Sequence, residues 1–111
     1  MEKKFQRLAF DPHAKRELLM EELQAGRNNP MYVIKAAALG MQAIPGIDIT
    51  MLTTSTLVIT GENDGLVGPH LSQQFYQGIP HHQLQTIQQA AHMAMLEQPR
   101  EVNKVITDFL R

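Results

Sequence analysis

The run Thr56–Gly61 constrains this chain more than any other segment. Its centre, Leu57 to Ile59, is apolar and rich in β-branched residues, and a polar turn follows at Glu62 to Gly65. Continuous apolarity of this kind is typical of a strand that is covered on both faces, as in a parallel sheet. The remaining sequence offers at most one more strand to pair with it, and two short strands are too few for a stable sheet. The run therefore predicts an α/β fold in which one side of this strand lacks a partner.

The first half of the chain is predicted to be helical. Asp11-Pro12 indicates the start of a helix that Asp11 caps and that Gly26 closes. Residues 28–30 begin a second helix, which ends at Pro45-Gly46. Its apolar residues follow the spacing of a buried stripe, which we expect to consist of Ile34, Ala37, Ala38 and Met41.

The second half predicts a strand–helix–strand–helix unit. After an irregular connection over residues 47–55 and the strand at 57–60, Gly68-Pro69 begins a helix that ends at Gly78. Residues 83–88 form a weaker second strand, and Pro99 begins the last helix. That helix has the clearest amphipathic pattern in the chain, with an apolar stripe of Val102, Val105, Ile106, Phe109 and Leu110.

Composition excludes several classes of protein. With 43% hydrophobic and 19% charged residues among 111, the chain is typical of a globular segment. A net charge of -1 without a basic run argues against a nucleic-acid or membrane partner. The absence of cysteine excludes disulfides and thiolate metal sites. No apolar stretch follows Met1–Lys4, and none approaches the ~20 residues that span a bilayer, so we expect a cytoplasmic protein.

Asp64 and His92 are the candidate catalytic residues. Asp64 lies just past the first strand, and His92 follows the second. The carboxyl ends of parallel strands lie at the same edge of a sheet, where α/β folds bind ligands. A carboxylate that binds one imidazole nitrogen fixes the tautomer and leaves the other nitrogen to act as a general base. We therefore expect the two side chains at hydrogen-bond distance, about 2.6–3.2 Å.

The order of motifs from Asp48 to Leu110 resembles the C-terminal part of α/β-hydrolase fold enzymes of the esterase, lactonase and C–C hydrolase group. The motifs that carry the resemblance are Asp48, Gly61–Asp64, Pro69, Ile79-Pro80, Ala91-His92 and Glu97–Pro99. The resemblance implies that Asp64 is the acid and His92 the base of a catalytic triad. It also implies that residues 1–46 are the remnant of a helical cap and that residues 47–111 are the C-terminal β-α-β-α part of a doubly wound hydrolase sheet.

The chain departs from the family pattern in three places. Ser55 stands where proline is usual, and Ala91 stands where glycine is usual. The Gly-x-Ser-x-Gly turn that carries the nucleophile is absent from the 111 residues. Ser55 has no flanking glycines and lies at the wrong end of its strand, and Ser72 is expected on a helix surface. Neither serine is a credible replacement.

The predicted ligands follow from the same resemblance. An ester or lactone substrate is expected in the parent enzyme, bound by Leu66, Val67 and Met93. For Met93 and Met95, filling gaps in the core is the competing interpretation. No cofactor or metal is implied: the adjacent His81 and His82 would point to opposite faces of a strand, and the sequence offers no third ligand.

Two functions are consistent with these patterns. The chain is the C-terminal fragment of a serine hydrolase that carries the triad acid and base without the nucleophile. Alternatively, it is a non-catalytic remnant that associates with another copy or with a hydrolase body through its amphipathic helices and its unpaired strand edge.

Overall fold

A computed structural model describes residues 7–111, in which helices alternate with two strands. The elements are α1 (Arg16–Arg27), α2 (Met31–Gln42), a 3-10 helix (Ile49–Met51), β1 (Thr56–Gly61), α3 (Pro69–Tyr76), β2 (His82–Ile87), α4 (Ala94–Glu97) and α5 (Pro99–Leu110). The predicted α/β class is confirmed. Residues 1–6 of the predicted cap segment lie outside the described part. None of the helices within residues 7–111 is long and apolar enough to cross a bilayer.

β1 and β2 form a parallel two-stranded sheet, and α3 is the connection between them. The amide of Thr56 donates to the carbonyl of His81, and the amide of Glu62 donates to the carbonyl of Ile87, both at 2.9 Å. Alternate residues of a parallel strand bond to the same neighbour, so the amides of Leu57 and Ile59 face the opposite edge. Within residues 7–111 no strand pairs with that edge, as the sequence predicts.

The core lies between the sheet and α5. Ile87, Ala90, Ala94 and Val102 form a buried cluster. Ile59 from β1 and Val105 from α5 pack against it. The predicted stripe of α5 is buried mainly at its beginning: Ile106 is 39% exposed and Leu110 is 76% exposed.

The predicted start of the first helix is wrong. Helix α1 begins at Arg16, after the N-cap residue Lys15, whose side chain makes no capping bond. The carboxylate of Asp11 is engaged elsewhere, by the side-chain amide of Asn63 and by His13. The helix also continues past Gly26 to Arg27, where Asn28 is the C-cap. Asp11 is therefore a buried hydrogen-bonding residue and not the predicted helix cap.

The predicted buried stripe of α2 is also wrong. The helix contains no buried residue, and Ile34 and Met41 are 46% and 73% exposed. The apolar residues of α2 surround most of its circumference, and no segment within residues 7–111 buries them. A helix that is hydrophobic all round is normally buried, so α2 exposes a surface that its sequence is suited to bury.

Candidate functional site

The side chains of Asp64 and His92 lie together at the carboxyl ends of the two strands. Oδ2 of Asp64 is 3.0 Å from Nδ1 of His92. The Asp64 side chain is 12% exposed and the His92 side chain is 41% exposed. The predicted hydrogen-bond distance is confirmed, although the residues are far apart in the sequence.

A tight turn after β1 orients the carboxylate of Asp64. The Asp64 amide donates to the carbonyl of Gly61 at 3.3 Å. Oδ1 of Asp64 accepts hydrogen bonds from the amides of Leu66 and Val67 at 2.9 and 3.0 Å. Asp side chains commonly bond the backbone two residues ahead in this way. With Oδ1 held by the turn, Oδ2 is presented to the imidazole.

Gly61 allows the loop that carries His92 to approach the end of β1. A Cβ atom at Gly61 would lie 2.0 Å from the carbonyl oxygen of Ala91 and 2.8 Å from that of Ala90. Only a residue without a side chain leaves room for this backbone. The close approach places the next residue, His92, opposite Asp64.

The pair has the geometry of a general base with its orienting carboxylate. An ionised carboxylate can only accept hydrogen bonds. Nδ1 of His92 therefore carries the proton and donates a hydrogen bond to Oδ2 of Asp64. Nε2 is then the acceptor, and no residue within 7–111 makes a hydrogen bond to it. Such an imidazole can take a proton from a hydroxyl nucleophile or from water.

A cavity of about 360 Å³ adjoins the pair. The end of β1, together with α3 and α5, contributes residues to its wall. The residues that line it include Ile59, Asp64, Ser72, Tyr76, His92 and Ile106.

Two of the expected pocket residues, Val67 and Met95, line this cavity, whereas Leu66 and Met93 are not among the residues of its wall. Ser72 is 5% exposed, so the expectation that it lies on a helix surface is wrong. Its side of α3 faces the cavity. Ser72 makes no hydrogen bond to His92 within the described residues.

Metal ligation finds no support in the described part of the chain. Within residues 7–111 no group of three His, Cys, Asp or Glu side chains could hold a metal ion. Nδ1 of His82 instead donates to the carbonyl of Ile79 at 2.7 Å.

The sequence does not predict the hydrogen-bonding roles of three residues around the pair: Asp11, Asn63 and Glu97. The Asp11 carboxylate accepts hydrogen bonds from the Asn63 side-chain amide and from the His13 amide. The Glu97 carboxylate accepts from the amides of Asp11 and Ala91. The Glu-x-Pro motif contains Glu97 but does not indicate its hydrogen-bond partners. No local pattern connects Asp11 with Asn63 or Glu97.

The electrostatics of Asp11 reflect these partners. Burial would raise the pKa of the Asp11 carboxyl, but hydrogen bonds from Asn63 and His13, together with the nearby His13 charge, outweigh burial and hold the pKa below its ordinary value. The buried group is therefore an anion at neutral pH.

Comparisons with known proteins support the fold. No protein-family model matches the chain, and no curated protein matches it. A solved structure described as "Structure of a thermophilic esterase" is similar to it, with 25% sequence identity and a TM-score of 0.66. The match covers 98% of this chain and 45% of the esterase chain. The chain thus spans less than half the length of that esterase.

Proposed function

We propose that this chain is the C-terminal portion of a serine hydrolase of the α/β-hydrolase fold, in which Asp64 is the triad acid and His92 the general base. The observation that carries the proposal is the 3.0 Å contact between Oδ2 of Asp64 and Nδ1 of His92 at the carboxyl ends of neighbouring parallel strands. Similarity to an esterase over 98% of the chain supports it.

In the complete enzyme, His92 would act through Nε2. It would take the proton of a serine hydroxyl as that oxygen attacks the carbonyl carbon of an ester or lactone, and would then protonate the leaving group. Hydrolysis of a C–C bond by the same residues is the other chemistry of this proposal. Asp64 would hold the tautomer and stabilise the imidazolium. Residues 1–46 would belong to the cap and residues 47–111 to the hydrolase core.

Catalysis by the 111-residue chain alone is expected to be negligible. Without a nucleophile elbow, the covalent route is missing. We expect hydrolysis of a p-nitrophenyl ester at the rate of the His92→Ala variant, and no labelling by a serine-directed fluorophosphonate. Turnover that His92→Ala abolishes, together with serine labelling, would contradict this expectation.

A chimera tests the proposed roles directly. The part of the thermophilic esterase outside the matched region would be joined to this chain, and ester hydrolysis would be measured. We expect activity that Asp64→Ala and His92→Ala each reduce at least about 10³-fold. His81→Ala, a change of an exposed histidine, is the matched control and should retain activity. Equal activity of the His92→Ala and His81→Ala chimeras would defeat the proposal.

Association is the second candidate function, and the exposed surface of α2 favours it. Met31, Tyr32 and Met41 are 66%, 76% and 73% exposed on one helix, and the amide of Ile59 lies on the unpaired edge of β1. A hydrolase body supplying a strand and covering α2 is the partner that fits both features. A pull-down would use the part of the esterase outside the match, with and without the esterase's own C-terminal part already bound to it. Capture only when that part is absent would support specific association, whereas capture under both conditions would indicate non-specific apolar binding.

A further inference from the structure

One short segment holds the backbone on either side of the Asp64–His92 pair. The segment is residues 8–13, which we name the brace. The amide of Gly65, next to Asp64, donates to the carbonyl of Leu8 at 2.8 Å. The amide of Met93, next to His92, donates to the carbonyl of Ala9 at 3.2 Å. The same two consecutive residues of the brace therefore bind both loops.

Side chains extend this connection to the other neighbour of each residue. The carboxylate of Asp11 accepts a hydrogen bond from the side-chain amide of Asn63, which precedes Asp64. The amide of Asp11 donates to Oε1 of Glu97, whose Oε2 accepts from the amide of Ala91 at 2.8 Å, the residue before His92. The brace thus bonds directly to Asn63, Gly65 and Met93, and it reaches Ala91 only through the carboxylate of Glu97.

The centre of the brace, residues 9–11, is buried although the helices that follow it are not. Ala9, Phe10 and Asp11 are 0%, 4% and 2% exposed, respectively, whereas α1 and α2 contain no buried residue. Folding buries the Asp11 carboxylate in exchange for specific hydrogen bonds, and a buried carboxylate is tolerated only when such bonds satisfy it. The burial therefore goes with the contacts to the two loops and not with the packing of a cap.

We propose that Asp11 is a positioning residue: its carboxylate, through Asn63, sets the separation of the two loops and so keeps Oδ2 of Asp64 against Nδ1 of His92, while its backbone amide, which every Asp11 variant keeps, binds Glu97. The inference rests on the proposed function, because positioning matters chemically only if the pair is an acid and a base. Asp11 touches neither member of the pair and acts only through the residues beside them.

The tautomer of His92 reports this positioning. The chain has five histidines, so ¹⁵N labelling of histidine alone gives five readable imidazoles. The spectra would be recorded at about pH 8.5, because a pH above the ordinary histidine pKa of about 6.5 favours neutral imidazole. A bond to Asp64 predicts the Nδ1–H tautomer for His92. His82 is the first residue of β2, and its Nδ1 donates to the carbonyl of Ile79. Its signal therefore reports whether the sheet is intact.

Five variants separate the outcomes. Asp64→Ala removes the acceptor and should shift His92 toward the Nε2–H tautomer. Asp11→Ala and Asn63→Ala should each produce at least half of that shift while His82 is unchanged. Asp11→Asn keeps an accepting oxygen for Asn63 and should resemble the wild type. Asp108→Ala, a change of an exposed acid on α5, should have no effect.

Each alternative result has a distinct meaning. An unchanged His92 tautomer in Asp64→Ala would remove the pair and with it the proposed function. A shift in Asp64→Ala but not in Asp11→Ala or Asn63→Ala would overturn only the inference about the brace. Loss of the His82 signal together with that of His92 in Asn63→Ala would also overturn it, because it would show a merely structural role. Asn63→Ala is decisive if Asp11→Ala unfolds, since Asn63 is exposed and keeps its backbone bond to Ala90.

Discussion

At the scale of single residues, the carboxylate of Asp64 divides its two oxygens between the turn and the imidazole. Oδ1 accepts from two backbone amides, whereas Oδ2 contacts His92. A single hydrogen bond contributes only about 0.5–1.5 kcal/mol net, and the His92 side chain is 41% exposed. The pair therefore cannot hold itself together against solvent. Its geometry comes from the turn and from the backbone contacts of the two loops.

Gly61→Ala should disrupt the candidate site more than any change on an exposed helix. The new methyl group would lie 2.0 Å from the Ala91 carbonyl oxygen, so backbone must move, at an expected cost of about 2 kcal/mol or more. Hydrogen exchange at the amides of Asn63 and Met93, measured by mass spectrometry, should accelerate more than about tenfold.

Gly26→Ala is the matched control for that substitution. Gly26 lies within α1, and nothing lies within 4 Å of the position of an added Cβ. Alanine is favoured over glycine in a helix by roughly 0.5–1 kcal/mol. Exchange in α1 should slow while exchange around His92 stays unchanged. Similar destabilisation by both substitutions would contradict the close-approach argument.

Asp11 should make the fold sensitive to acid. Its pKa is lower in the folded chain than its ordinary value, so its contribution is fully present above about pH 4 and is lost as the pH falls through the folded pKa. The urea midpoint, followed by circular dichroism, should fall between pH 5 and pH 2 in the wild type and fall less in Asp11→Asn. Asp48 serves as the comparison for Asp11, because its pKa is also lowered although the residue is exposed. Equal pH dependence in Asp11→Asn and the wild type would contradict this role.

Local sequence identified Asp64 and His92 because each follows a predicted strand within a few residues. It could not identify the role of Asp11. The contacts of Asp11 with Asn63 and Glu97 join positions 52 and 86 residues apart. An Asp-Pro pair indicates a helix start on local grounds, and only the assembled fold places the carboxylate beside a second loop instead.

At the scale of elements, β1 and α5 were predictable because their apolar residues are packed within this chain. The exposure of the apolar stripe of α2 was not predictable, because no segment within residues 7–111 covers its apolar residues. Short α4 was also missed: four residues, Ala94–Glu97, are too few to show helical periodicity. Apolar spacing therefore predicted where helices form, but it predicted burial only where the partner is present.

Helix α5 should respond unevenly to truncation along its apolar stripe. Val102 is 7% exposed within the core cluster, whereas Ile106 is 39% exposed beside the cavity. Val102→Ala should cost about 1–3 kcal/mol, and Ile106→Ala less than about 1 kcal/mol. Hydrogen exchange of β2 amides measures both. Equal effects would show that the stripe is buried along its whole length, as it would be if a further segment occupied the cavity.

At the scale of the whole molecule, an edge and a helix that α/β folds normally cover are open within residues 7–111. β1 has an unpaired edge, and α2 exposes side chains whose burial would each contribute about 1.5–3 kcal/mol. A two-stranded sheet is too small to be stable by itself. These features lie on different elements, so one small rearrangement cannot hide them all.

The chain in isolation should therefore associate through these exposed surfaces. Light scattering coupled to size-exclusion chromatography should give a mass above that of the monomer. Replacing Tyr32 and Met41 by glutamine should shift the distribution toward monomer, because these side chains are 76% and 73% exposed on α2. Leu110→Gln, a change of a side chain 76% exposed on α5, should shift it less, since one terminal residue offers no continuous patch. A wild-type monomer that melts in one sharp calorimetric transition would contradict this expectation, because it would show that this chain suffices to close the core.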